Sequence, residues 1–142
     1  MVIVLDTSGL LAAIDSSQRF HDAAKEVLLG GAVDPLILSP FVLAELDYLL
    51  ATRVGPEAEL ALLQEVARET YRLAPFSIGN VAEARRIMVQ YADLRISLAD
   101  ASNVVLANRH DTLDVLTLDE RHFRALRGPG GRPFRILPAD AG

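Results

Sequence analysis

The sequence predicts an α/β protein, a three-layer α/β/α sandwich built on a central, mostly parallel sheet. Three observations carry that reading. Short apolar runs rich in β-branched residues (2–5, 36–38, 115–118 and 134–137) fit strands buried on both faces. Between them lie longer segments with apolar residues at helical spacing. The two kinds of segment alternate along the chain, which is the pattern of βα units with helices covering a parallel sheet. At 142 residues, 51% of them hydrophobic, the chain fits one domain spanning 1–142.

The elements follow in order. Val2 to Leu5 is the first strand, and Asp6-Thr7-Ser8 turns it into a helix carrying Leu10, Leu11 and Ile14. After a polar loop at 15–19, a second helix covers 21–29 and stops at Gly30-Gly31. The strand 36–38 runs into Ser39-Pro40, an N-cap serine with proline in the first turn. The helix 41–52 that follows is apolar nearly all round, which implies burial. Gly55-Pro56 breaks the pattern and 57–69 resumes it, with Leu60, Leu63 and Ala67 as one stripe. A strand at 71–73, a helix at 77–91, a helix from Ser97 to Arg109, the strand 115–118, a helical turn at 119–125 and the strand 134–137 complete the chain. There is no internal repeat and no linker.

Composition excludes several chemistries. Without cysteine there is no disulfide framework, thiolate zinc site, iron–sulfur cluster or cysteine nucleophile. No apolar run is long enough to span a membrane, and residues 1–6 lack the basic start of a signal peptide, so a cytoplasmic protein is expected. There is no G-x-S-x-G elbow, no H-E-x-x-H and no phosphate loop. His21, His110 and His122 lie in polar stretches and read as surface residues. The net charge is −5, yet of 14 basic residues only Lys25 is lysine. Arg121, Arg124, Arg127, Arg132 and Arg135 follow one another with no acid between them. That run is either a solvated surface or a strip that binds RNA phosphates.

Four acids stand out by position. Asp6 and Asp119 each follow a strand, and the carboxyl ends of strands form the ligand crevice of open α/β sheets. Glu45 sits among Phe41, Val42, Leu43, Leu46, Leu49 and Leu50, and Asp100 opens the apolar helix after Ser97. Each has an ordinary alternative: an N-cap for Asp6 and Asp119, a capping box Ser97-Leu-Ala-Asp100, a thin polar stripe with Asp47 or Tyr48 for Glu45. As a set they can converge on one crevice. Converging carboxylates repel, and a hard, oxygen-ligating cation such as Mg2+ or Mn2+ relieves the repulsion. Such ions activate water and clamp phosphodiester oxygens. Thr7, Ser8 and Thr117 place hydroxyls beside these acids, and Thr117 shares a strand face with Asp119.

Four blocks, Val4-Leu-Asp-Thr-Ser-Gly-Leu-Leu-Ala12, Ser39-Pro-Phe-Val-Leu-Ala-Glu-Leu46, Ile96-Ser-Leu-Ala-Asp-Ala101 and Val115-Leu-Thr-Leu-Asp119, resemble those of PIN-domain nucleases. More narrowly, the chain resembles VapC-type toxins of bacterial toxin–antitoxin pairs. The resemblance covers essentially the whole chain. It implies a divalent-metal-dependent endoribonuclease that inhibits translation, with Asp6 and Asp100 as the direct metal ligands and Glu45 and Asp119 completing the site, partly through water. Thr117 matches the hydroxyl of the last block, and Asp93 is a weaker additional acid. It further implies a homodimer held by a VapB-type antitoxin, for which helices 41–50 and 60–67 are candidate surfaces. Two other functions fit the same residues: a non-catalytic cation-binding module, and a PIN nuclease acting in RNA processing or on DNA.

Overall fold

In the computed structural model, which describes residues 2–30 and 35–142, five strands form one sheet in the order β3-β2-β1-β4-β5. The strands are β1 (Ile3–Leu5), β2 (Leu36–Leu38), β3 (Arg72–Leu73), β4 (Asp114–Leu116) and β5 (Arg135–Leu137). Every neighbouring pair is parallel, with Leu5 opposite both Leu38 and Leu116, and Leu116 opposite Leu137. The sheet is therefore parallel throughout.

Side chains alternate across such short strands, and that alternation creates the layers. Ile3, Leu5, Leu36, Leu38, Leu116 and Leu137 point into one core, together with α1 (Thr7–Ile14), α2 (His21–Gly30), α3 (Pro40–Arg53) and α4 (Pro56–Ala67). Val4, Ile37, Val115 and Ile136 point into the other, with α5 (Ile78–Gln90), α6 (Leu98–Arg109) and α7 (Glu120–Phe123). The expected three layers are present. Helix α2 ends at Gly30, and Gly31, half of the expected stop, lies outside the described residues. Among the described residues, no helix is long and apolar enough to cross a membrane.

Four of the five strands differ from the sequence reading by one or two residues at an end. The expected strand 115–118 is observed at Asp114–Leu116, with the Thr117 N–H still bonded to the Leu137 carbonyl (2.9 Å), and β3 is two residues long and exposed. The larger correction concerns burial. Helix α3 buries only Val42, Leu46 and Leu50, one stripe at i, i+4, i+8, while Ala44, Glu45 and Tyr48 are exposed. The helix enclosed on all sides is α6, where every residue from Ala101 to Ala107 is buried. Helix α6 lies between the sheet and α5 and also meets α3.

Two close contacts set where the helices sit. A hydroxyl relay joins α3 to α6: Phe41 N–H donates to Ser39 Oγ (3.1 Å), the Ser39 hydroxyl to Ser102 Oγ (2.7 Å), and the Ser102 hydroxyl to the Ala99 carbonyl (2.7 Å). Both serines are fully buried, so this order of donors leaves neither without a partner. At Gly9, α1 lies directly on β4: a Cβ there would stand 2.4 Å from the Leu116 carbonyl oxygen. A backbone atom of a central strand cannot yield to such a contact. Gly9→Ala is therefore expected to destabilise the protein by roughly 1–3 kcal/mol, the usual cost of overpacking a core. A urea titration with an unchanged midpoint would show that α1 can lift off the sheet.

Candidate active site

Strands β1 and β4 are neighbours at the centre of the sheet, so the residues just beyond their carboxyl ends meet. The Asp6 N–H donates to the Leu116 carbonyl (2.9 Å), which continues the β1–β4 pairing by one residue and fixes the Asp6 backbone. Helix α6 then brings Asp100 from one layer, and α3 brings Glu45 from the other. Asp6, Glu45, Asp100 and Asp119 line a single cavity of about 370 Å3, with Thr7, Ser8, Arg53 and His122 also on its walls.

Each acid is held differently. Asp6 occupies the N-cap position of α1, but its side chain makes no cap hydrogen bond. Instead Asp6 Oδ2 accepts from the Thr117 hydroxyl at 2.6 Å, and Asp6 Oδ1 from Asn103 Nδ2 at 3.3 Å. Thr117 Oγ1 in turn accepts from the Asp119 N–H (3.0 Å), so one hydroxyl ties the two strand-end aspartates together. Ser8 Oγ accepts from the Leu118 N–H at 2.9 Å, closing the β4 end over α1. Asp100 does form the expected capping box: Oδ2 accepts from the Ser97 N–H (3.0 Å), and Ser97 Oγ from the Asp100 N–H (3.1 Å). Asp119 caps α7 by accepting from the His122 N–H (3.1 Å). Capping and site placement are thus the same act for Asp100 and Asp119. Glu45 stands on the exposed side of α3, among solvent rather than the apolar neighbours its sequence context implied.

The electrostatics follow from this crowding. Asp6 is only 5% exposed. Burial, with the nearby charges of Asp100 and Asp119, pushes its carboxyl up to about 7 against the opposing Thr117 hydrogen bond. Asp100, Asp119 and His122 each offer a ligand atom within 4.8 Å of the others. Among the described residues, two buried polar atoms at the site, Thr7 Oγ1 and Asn103 Oδ1, have no hydrogen-bond partner. An acid held from ionising by burial and, less strongly, by its acidic neighbours, set among oxygen donors, is the environment a hard divalent cation stabilises. The residues fit Mg2+ or Mn2+ equally.

Sequence reasoning missed three residues here. His122 read as a surface histidine, yet Nδ1 lies 2.7 Å from Asp119 Oδ2 and 3.9 Å from Asp100 Oδ2. Its Nε2 lies 3.0 Å from the Leu94 carbonyl. Both ring nitrogens face acceptors, so the imidazolium satisfies the geometry, and the hydrogen bond to Asp119 raises its pKa. Its spacing from Asp119, three residues on a helical turn, was the available signal. Asn103 is a buried amide one turn beyond Asp100, in a buried stretch (Ala101–Ala107) whose one other polar residue is Ser102. Arg53 follows Glu45 and Leu49 at intervals of four, which aligns all three on one face of α3.

The proposed supporting residues divide. Thr7, Ser8 and Thr117 stand at the cavity or its wall. Asp93 is exposed on a single 3-10 turn (Ala92–Leu94) and does not line the cavity. The five arginines do not form one strip. Arg121 is exposed on α7. Arg124 is bound by Glu120 and Asp140, both at 2.8 Å. Arg127 donates to the carbonyls of Arg124 and Leu126. Arg132 and Arg135 line a cavity at the amino ends of the strands, where Arg135 pairs with the buried Asp114. Proximity in sequence fails here because the chain crosses the full height of the sheet between Arg121 and Arg135.

Fold and site together define a small parallel α/β protein with an oxygen-donor pocket at the carboxyl edge of its sheet. The chain belongs to the PIN-domain family, which it matches over residues 3–129, and to its VapC branch. It is 49% identical over 136 residues to ribonuclease VapC26 of Mycobacterium tuberculosis, covering 96% of this chain and 100% of that protein. Its fold is similar to that of VapC20 from Mycobacterium tuberculosis, a sarcin–ricin loop cleaving toxin (TM-score 0.75, 22% identity, 82% of this chain and 89% of that one). It is also similar to VapBC2 from Rickettsia felis, solved with a fragment of promoter DNA (TM-score 0.67, 17% identity, 96% and 98%).

The Asp6 environment has a consequence for the metal-free protein. A carboxyl raised from 3.8 to about 7 holds its proton in the folded state where the unfolded chain has released it. Stability is therefore lost as pH rises through that window. Asp6→Asn lacks this titration, so in chelator the variant should gain on the wild type between pH 4 and pH 8, by on the order of 4 kcal/mol. Denaturant titrations at the two pH values check it, and a constant difference would mean that Asp6 ionises freely.

Proposed function

We propose that this chain is a Mg2+- or Mn2+-dependent endoribonuclease, the toxin of a toxin–antitoxin pair, which cuts RNA in the cytoplasm and so inhibits translation. The observation that carries the reading is the convergence of four carboxylates from four chain segments on one cavity at the carboxyl edge of the sheet. The close likeness to a protein named a ribonuclease supports RNA as the substrate.

In this reading Asp6 and Asp100 hold the ion directly, and Glu45 and Asp119 complete the pocket, partly through water. When bound, the dication supplies charge neutralisation on the phosphodiester and a water made nucleophilic at neutral pH. The rest falls to the protein. Thr117 and Asn103 fix the Asp6 carboxylate by donating to its two oxygens. His122 anchors Asp119 and balances one negative charge. Arg53, on the pocket wall, meets a substrate phosphate that the four acids would otherwise repel. Arg121 extends this basic contact along α7.

The partner reading rests on exposed apolar surface. Tyr48 (67%) on α3, Leu60 (65%) and Leu63 on α4, and Val54 in the turn between the two helices stand open. A VapB-type antitoxin, in line with the solved VapBC assemblies, and a second copy of the chain are the proposed occupants of such surfaces; those assemblies bear on the antitoxin alone.

Cleavage of total cellular RNA by purified, antitoxin-free protein tests the activity. Discrete fragments should appear with Mg2+ or Mn2+, vanish with chelator, and be absent for Asp6→Asn. Thr117→Val should lower the rate roughly 10–100-fold, as loss of a group that orients a metal ligand does. A folded protein that cuts nothing with either metal would overturn the nuclease reading in favour of a cation-binding module. For Arg53→Ala, the slope of log affinity against log salt should shrink by about 1 in RNA-binding titrations. An unchanged slope would remove Arg53 from the phosphate path.

A further inference from the structure

A second cavity is linked to the acidic one through a single residue, Thr117. It measures about 250 Å3 and is lined by Phe20, Ala23, Leu118, Glu120, Pro138 and Ala139, with Thr117 at its boundary. Thr117 is the residue whose hydroxyl is bonded to Asp6. An occupant that touches Thr117 is therefore one side chain away from Asp6. Cavities of about 300–1,000 Å3 take drug-sized ligands, so this one suits a single flat ring system.

The cavity is built from fixed parts. Phe20 is 45% exposed, and it closes a loop in which Asp15 accepts hydrogen bonds from Ser17 and Gln18. His21 is bonded to the Ala12 carbonyl at 2.8 Å, which ties the end of that loop to α1. The Arg19 guanidinium lies 5.1 Å from the Phe20 ring centroid and brings a cation beside it. On the opposite wall Arg124 joins two segments. It holds Glu120 Oε1 through Nε (3.2 Å) and Nη2 (2.8 Å), and it holds both oxygens of Asp140 at 2.8 Å. Asp140 in turn accepts from the Ile136 N–H at 2.8 Å, which anchors the Pro138–Ala139 turn. Arg124, a member of the arginine run that offered a phosphate-binding strip as one of two readings, is the clamp that sets this wall.

We propose that this cavity receives one nucleobase of the RNA, adjacent to the phosphate held at the acidic pocket, and that Phe20 and Glu120 select it. The inference rests on the nuclease reading. Unstacked RNA bases are characteristically stacked on aromatic side chains and read along their hydrogen-bonding edges. Phe20 supplies the face. Glu120 Oε1 is fixed by Arg124, and an ionised carboxylate has further acceptor capacity for an N–H of the base. A carboxylate acceptor favours bases with an exocyclic amine, adenine, guanine or cytosine, over uracil. Arg19 adds a cation for the following phosphate.

The test uses a short RNA spanning a mapped cleavage site, with each flanking base replaced in turn by an abasic residue or by uracil. For the wild type, one flanking position should lose roughly 5- to 150-fold in kcat/KM when made abasic, the range expected for one lost stack. In Phe20→Ala the same abasic change should cost nothing further, and Glu120→Gln should erase the disadvantage of uracil while keeping the abasic loss. An abasic penalty of equal size in Phe20→Ala and wild type would overturn the proposal. So would a Phe20→Ala variant that keeps base preference but loses affinity for the coexpressed antitoxin, since the cavity would then seat a protein side chain. Titration with AMP, GMP, CMP and UMP, read by amide shifts at Phe20, Leu118 and Ala139, needs no cleavage. Shifts that favour the amine-bearing nucleotides, in a protein that cuts no RNA, would overturn the nuclease reading and keep the base site. Cleavage without such shifts, and with additive variants, would do the reverse.

Discussion

The carboxylate of Asp6 lies almost wholly out of solvent at the end of the central strand, and much of the structure is arranged around that position. An anion there is unfavourable by several kcal/mol unless donors or a cation meet it. Two donors come from far along the chain, Thr117 just past β4 and Asn103 on α6. Bringing them in requires β4 to pair directly with β1, and α6 to pack closely on the sheet. Gly9 belongs to the same constraint, because α1 can start at Asp6 only by lying on the Leu116 carbonyl. The site and the core are thus one piece of packing.

The remaining acids are placed by cheaper means. Asp100 and Asp119 both stand at helix N-termini, where partial positive charge and free N–H groups favour a carboxylate. A capping residue in such a position spends some of its acceptor capacity on the backbone and keeps the rest for the pocket. Glu45 is set by register alone: it falls on the exposed face of α3, and the buried serine relay between Ser39 and Ser102 fixes that helix against α6. Mutual repulsion in the finished pocket follows from the convergence of these three independent placements with Asp6.

Arginine content explains how a chain of net charge −5 tolerates this. Several arginines are engaged by acids or carbonyls. Arg124 joins Glu120 to Asp140, Arg135 meets the buried Asp114, and Arg109 donates to the Pro75 carbonyl and Asn80. Guanidinium groups suit such work because their rigid fork satisfies two partners at once. The one arginine on the pocket wall among the described residues, Arg53, is a small part of the total. A run of positive residues in the sequence is therefore a poor guide to where a polyanion is met.

Local chemistry made the layers and the four principal acids legible. Period-2 alternation in strands of β-branched residues fixes which side chains face which core, and aspartate after a strand or at a capping position is a local signal. The sequence by itself determined the parallel α/β architecture, most elements to within about two residues at each end, and the choice of Asp6, Glu45, Asp100 and Asp119 as acids that line one cavity. It could not decide which apolar helix is enclosed: α3 and α6 read alike, and only the packing of α5 over α6 buries the latter on every side. Nor could it assign His122, Asn103 and Arg53 to the pocket, or separate Arg124 from Arg135 by the height of the sheet. Those assignments depend on contacts between residues up to about a hundred positions apart, such as Asn103 with Asp6, and long-range proximity leaves no periodic trace in a single chain.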